Sequence, residues 1–211
     1  MLDRYTGIIW DWNGTLLNDT LLCVKIINEM LEIRRLPLLS IPSYKNVFAF
    51  PVKDYYQKIG FDFEHEPFEI PALEFIERYN EQVSGCSLHQ DSLRFLDYFH
   101  SIGIRQFILS AMHEDVLNDC LKHYRIEHFF EHVSGLDNHF AASKTANGHR
   151  LITELNLDVK ELILIGDTIH DFEVATELGC QCVLIANGHQ SKTVLETIGV
   201  VVLDELNQLL D

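Results

Sequence analysis

The sequence predicts an α/β fold, a doubly wound, Rossmann-like parallel sheet carrying a small helical insertion. Short apolar runs recur with helix-length spacings between them. Each run is continuous, as in a strand buried on both faces, and one long interval after the first run has helical periodicity without a buried strand. With 211 residues, 47% of them hydrophobic, the chain can bury one sizeable core and a smaller appendage.

The first strand is GIIWD at 7–11. Residues 20–34 then place Leu21, Val24, Ile27, Met30 and Leu31 at helical spacing, and residues 71–84 do the same with Leu73, Ile76, Tyr79 and Val83. Pro37, Pro42 and Pro51 punctuate the stretch between them. A helix over 91–102, with Leu93, Leu96 and Phe99 on one face and Gly103 at its end, leads into the strand IRQFILS at 104–110. A helix over 114–124 precedes the weaker strand EHVSG at 131–135, and a helix over 145–156 precedes LILIGD at 162–167. The helix 170–178, ended by Gly179, leads to CQCVLIA at 180–186, and VVVL at 200–203 is the last strand. The expected division is a core of 1–16 and 89–211 with a helical unit of 17–88. Inserted after the first strand, that unit lies near the carboxyl ends of the strands, where open α/β sheets bind ligands.

A formal charge of -16, from 32 acidic and 16 basic side chains, repels a phosphate backbone, so neither nucleic acid nor an anionic membrane is expected as a partner. No segment reaches the roughly 18 apolar residues of a membrane span, and no basic-then-apolar leader opens the chain, so the expected location is cytoplasmic. The five cysteines, an odd count without a C-x-x-C pair, are expected to be reduced thiols. A monomer or homodimer is expected, acting on a small phosphorylated substrate for the reasons that follow.

Polar residues fall at the carboxyl ends of three separate strands: Asp11 with Thr15, Ser110, and Asp167 with Asp171. Lys144 opens the helix before the third. An aspartate at a strand end is most often a turn or cap residue, but parallel strands bring all of these to one edge. Phosphoryl transfer to a carboxylate needs such a set. Asp11 serves as nucleophile, and magnesium removes the repulsion between two anions. Asp11 and Asp167 are natural metal ligands, with Asp171 reaching the ion directly or through water. Thr15 and Ser110 are candidate donors to phosphoryl oxygens, and Lys144 neutralises charge on the nucleophile and the transferring group.

On these residues the chain resembles the haloacid dehalogenase superfamily, in its phosphoglycolate phosphatase-like branch. The D-x-D-x-T motif corresponds to Asp11-Trp12-Asn13-Gly14-Thr15, the strand-end hydroxyl to Ser110, the lysine to Lys144 without the proline that often follows, and G-D-x-x-x-D to Gly166 through Asp171. The resemblance implies that the 17–88 unit is a helical cap closing over the site. It also implies that the backbone carbonyl of Asn13 joins the magnesium ligands, as that of the family's second aspartate does.

The side chain of Asn13 is the departure. Phosphatases of the family carry an aspartate there as general acid and base, and an amide does neither near neutral pH. The expected activity is therefore slow hydrolysis of small phosphomonoesters through an aspartyl phosphate. A catalytically weak scaffold that binds phosphate and metal, or stays phosphorylated, is the alternative. Dehalogenation fits less well, since it leaves the acidic set without a purpose. Asn-Gly is also a favoured turn pair, which would make Asn13 a matter of loop geometry. Among the histidines, His123, His128, His132 and His139 lack paired ligand spacing and are expected at the surface. His170 and His189 fall where the crevice should be, and His89 falls at the cap hinge. Trp12 is expected to pack.

Overall fold

The computed structural model describes residues 2, 4–136 and 144–210. In chain order its strands are β1 (Gly7–Trp10), β2 (Leu17–Asn18), β3 (Ser87–Leu88), β4 (Arg105–His113), β5 (His132–Leu136), β6 (Leu162–Gly166), β7 (Gln181–Ile185) and β8 (Val201–Leu203). The helices are α1 (Thr20–Ile33), α2 (Ile41–Val47), α3 (Val52–Lys58), α4 (Glu69–Gln82), α5 (Ser92–Ser101), α6 (Glu114–Tyr124), α7 (Lys144–Glu154), α8 (Ile169–Leu178) and α9 (Lys192–Leu195). Six strands form one parallel sheet in the order β5-β4-β1-β6-β7-β8. The order runs outward in both directions from β1, so the crevice of this doubly wound sheet opens at the carboxyl end of β1.

Alternation along β1 divides the core. Ile8 and Trp10 join the apolar layer that continues into the helical insertion, while Ile9 joins Phe107, Leu109, Leu151, Leu164 and Val174 on the opposite face. Both layers exclude water, which is why the strands read as unbroken apolar runs. The polar tip of Trp10 is satisfied within its layer by the side chain of Gln106, 3.0 Å away. Trp12 is likewise fully buried and packs near Tyr124, ring centroids 6.1 Å apart.

The insertion enters and leaves through a two-stranded antiparallel ribbon that the sequence did not reveal, with Leu17 opposite Leu88 and Asn18 opposite Ser87. Helices α1 to α4 lie between the two crossings. Three expected apolar contacts are shifted by one residue: Leu21 is 62% exposed, Leu73 39% and Leu93 52%. In each helix a smaller neighbour, Thr20, Ala72 or Ser92, takes the buried position, because the inward stripe falls one residue away from the leucine. Residues between Pro37 and Pro51 form α2, where the Ser40 hydroxyl accepts from the Ser43 N–H at the N-terminus, and Pro51 precedes α3. Among the described residues, no helix is long and apolar enough to cross a membrane.

Candidate active site

Asp11 is the first residue past β1, Asp167 the first past β6, and Lys144 the first of α7. Adjacent parallel strands therefore deliver the two aspartates to one point. The Lys144 ammonium donates to Asp11 Oδ1 and, at 2.5 Å, to Asp171 Oδ1. Asp11, Asp167 and Asp171 each present an oxygen within 4.8 Å of the others, and all three side chains are buried. Burial pushes the Asp11 and Asp167 carboxyls above their usual range, with neighbouring carboxylates adding to the rise. Burial acts the same way on Asp171, but the charge and hydrogen bond of Lys144 and the bonds from Thr168 hold it below its usual value. Lys144 keeps its proton because the Asp11 and Asp171 charges outweigh its burial. When ionised, three carboxylates meet one adjacent ammonium, an oxygen-only, anion-rich set suited to a hard divalent cation.

Local sequence explains this placement. Thr168 and Asp171 form a capping box at the N-terminus of α8, where Asp171 Oδ2 accepts from Thr168 N at 3.0 Å and Thr168 Oγ1 at 2.7 Å. One oxygen of Asp171 thus fixes the loop and the other fixes Lys144. Gly14 adopts φ 74° against the site, where an added Cβ would stand 2.4 Å from Asp167 Oδ2. Asn13-Gly14 is accordingly a turn pair as well as a motif residue.

The two expected phosphate donors, Thr15 and Ser110, are both buried at the strand ends. The Thr15 hydroxyl lies 3.2 Å from both Asp11 Oδ2 and Asp167 Oδ1, so it joins the two carboxylates. Ser110 Oγ accepts from Met112 N at 3.0 Å and approaches Asn13 Oδ1 at 3.5 Å. Neither residue lines the cavity described below. Each hydroxyl has a partner in the protein, which strand-end position alone does not reveal.

Asn13 is held by a partner the sequence concealed. Its Nδ2 donates to Asp19 Oδ2 at 2.8 Å and to the Tyr79 hydroxyl at 2.7 Å. Asp19 occupies the N-cap position of α1 yet makes no capping bond. Its carboxylate instead accepts from Asn13, from Gly14 N at 2.9 Å, from Tyr79 Oη at 2.6 Å, and meets His189 Nε2 at 3.2 Å. Burial opposes both charges of the Asp19–His189 pair. Mutual attraction prevails, holding Asp19 at about 2 and raising His189 to about 9. The other ring nitrogen of His189 lies 2.9 Å from the Tyr44 hydroxyl, so α2 helps to orient it. The sequence clue to Asp19 is an aspartate before a helix. That clue suggests only a cap.

The remaining histidines separate clearly. His123 and His128 are exposed and His132 is half-buried, while His139 lies outside the described residues. His170 is half-buried and packs against Phe50, ring centroids 4.7 Å apart. His89 is buried directly after β3, and its N–H bonds to the Leu16 carbonyl at 2.9 Å, which places it at the ribbon. All five cysteines are free thiols.

Above the carboxylates lies a cavity of about 360 Å³ between the sheet edge and the insertion. Asp11, Asn13, Lys144 and Asp167 form part of its floor, and residues of α2 to α4 form its far wall. Protein interiors rarely leave voids larger than a water molecule, so a space of this size over such a floor makes this crevice the candidate site.

A parallel sheet with a buried lysine-carboxylate cluster at its switch point is a doubly wound α/β scaffold that gathers its polar groups in one crevice. The chain belongs to the haloacid dehalogenase-like hydrolase family, whose model matches residues 8–185. A comparison with curated proteins found no match. Among solved structures it is similar to a haloacid dehalogenase-like family hydrolase from Streptococcus pneumoniae, with 19% identity, TM-score 0.82, and 98% of this chain and 97% of that one covered. It is similar also to a predicted phosphoglycolate phosphatase from Haemophilus somnus, with 17% identity, TM-score 0.77, and coverage of 100% and 98%. Protein tyrosine kinase A from Mycobacterium tuberculosis shares the fold at 18% identity and TM-score 0.82, with 98% and 97% covered. At such identities the likeness concerns fold, and chemistry resides in the site.

Proposed function

We propose that the chain is a magnesium-dependent phosphatase of small phosphomonoesters, working through an aspartyl phosphate on Asp11 and slowed by Asn13. The observation that carries this reading is the convergence of Asp11, Asp167, Asp171 and Lys144, all buried, beneath a cavity. The donor set fits magnesium: its side-chain donors are all carboxylate oxygens, and two of those carboxyls resist ionisation without further positive charge. Asp11 and Asp167 would hold the ion, with the Asn13 backbone carbonyl and, through water, Asp171. Bound there, magnesium supplies the charge that offsets repulsion between carboxylate and phosphate.

The chain's own residues supply the rest. Asp11 offers Oδ2 or Oδ1 to phosphorus, and Lys144 exchanges its bond to Asp11 for the transferring oxygens. Thr15 and Asp171 keep the loops in place, and the helical unit, read as a cap, excludes water. Asn13 gives no proton to the departing oxygen, and its amide is already held by Asp19 and Tyr79. The same tether favours a second reading, a scaffold that accepts phosphate on Asp11 and holds it.

A screen of phosphomonoesters with and without magnesium, on wild type and Asp11→Asn, tests the proposal. Magnesium-dependent release of phosphate, abolished in Asp11→Asn, is the expected result. Formation of a stable phosphoprotein from acetyl phosphate, with no release from any ester, would establish the scaffold instead.

A further inference from the structure

The wall facing the carboxylates is aromatic. Phe48 and Phe50 come from the turn after α2, Tyr55 and Tyr56 from α3, and Phe75 and Tyr79 from α4. They pack edge to face and in stacks, Phe48 against Tyr55 at 5.3 Å and Phe75 against Tyr79 at 6.0 Å between centroids. Lys144 is the one lysine or arginine lining the cavity among the described residues, and the segment 137–143 contains neither residue type. Lys144 is engaged by Asp11 and Asp171. Among the described residues the three lining histidines each stand beside a carboxylate: His189 by Asp19 at 3.2 Å, His170 by Glu173 at 3.4 Å and His113 by Asp115 at 3.9 Å. A leaving group with its own carboxylate, such as glycolate, would meet aromatic rings whose polar groups are uncharged tyrosine hydroxyls, among them the unpartnered one of Tyr55, and four buried aspartates there. Burying that charge without a partner is costly.

We infer that the substrates are phosphomonoesters whose leaving group is uncharged and aromatic, and that phosphoglycolate is a poor one. This rests on the phosphatase reading above. A second feature points the same way: Asn13 cannot protonate the departing oxygen, and aryl esters need that proton least. In the transfer, an Asp11 carboxylate oxygen bonds to phosphorus as the phosphorus–oxygen bond to the ring carbon's oxygen breaks. The phenolate leaves with the bonding pair and takes its proton from water. Wall and floor therefore select one class of ester, the wall by burying the ring and the floor by lacking an acid.

The test uses three phosphonates that cannot be hydrolysed: phenylphosphonate, methylphosphonate and phosphonoacetate, each titrated into wild type with magnesium by calorimetry. Burial of the ring should make phenylphosphonate bind roughly tenfold to a hundredfold more tightly than methylphosphonate, with phosphonoacetate no better than the methyl compound. Ile76, half-buried on the cavity wall, gives a charge-bearing variant, Ile76→Arg, in which phosphonoacetate should gain and phenylphosphonate lose. The wild-type comparison decides the matter even if that variant does not fold. Methylphosphonate or phosphonoacetate binding as tightly as phenylphosphonate overturns the inference and leaves the phosphate site standing. If none of the three binds, the phosphatase reading itself falls.

Discussion

Asn13 shows how one residue can serve a motif and a local network at once. Its amide lies 2.8 Å from the Asp19 carboxylate, so Asn13→Asp would set two carboxylates against each other and one of them would hold a proton near neutral pH. Restoring the family's acid therefore has two parts. Asn13→Asp alone should raise turnover of alkyl phosphates only modestly, with a basic limb displaced upward in the pH profile. Asn13→Asp with Asp19→Asn should give the larger gain, within the roughly 10²–10⁴ that a general acid contributes, and a smaller gain on aryl phosphates. Steady-state rates on both ester types across pH measure this; equal rates for wild type and both variants would mean another residue acts as the acid. The legible part of the site was the part written locally: Asp11, Lys144, Asp167 and Asp171 each follow a strand or open a helix. Asp19 and His189 were not legible as a pair, because they meet across a separation of 170 residues.

Helix α4 joins the Asn13–Asp19 network through a single hydroxyl. Tyr79 donates to Asp19 and accepts from Asn13, so Tyr79→Phe removes a partner from each in a buried setting. The expected loss is about 1–3 kcal/mol of stability, measured by urea unfolding. A change under half a kilocalorie, by contrast, would mean water replaces the hydroxyl. Elements buried on both faces were readable as apolar runs, and the six strands of the main sheet are accordingly those expected. The ribbon of β2 and β3 was not, since two residues per strand carry no periodicity. Helices α2 and α3, seven residues each, are likewise too short to show a stripe among prolines.

Charge in the whole molecule predicts how stability varies with pH. His189 rises from 6.5 to about 9 on folding, so its contribution is fully present below pH 6.5 and lost as pH rises through 9. The Asp11 and Asp167 carboxyls, raised by burial, also favour the folded state less as pH rises past the ordinary carboxylate range. The metal-free protein should therefore melt at progressively lower temperature between pH ~6 and ~9, while magnesium raises the melting temperature most at the alkaline end. Thermal unfolding with and without magnesium measures both trends. Asp167→Ala should lose the magnesium response, and an unchanged response there would sink the metal site. The ribbon adds a different kind of consequence. Because Leu17 and Leu88 are already neighbours, the segment between them is a graft whose cut ends touch, and exchanging or lengthening it requires no new route for the backbone through the sheet. The wall of the cavity can thus be replaced while the strand tips beneath it keep their places.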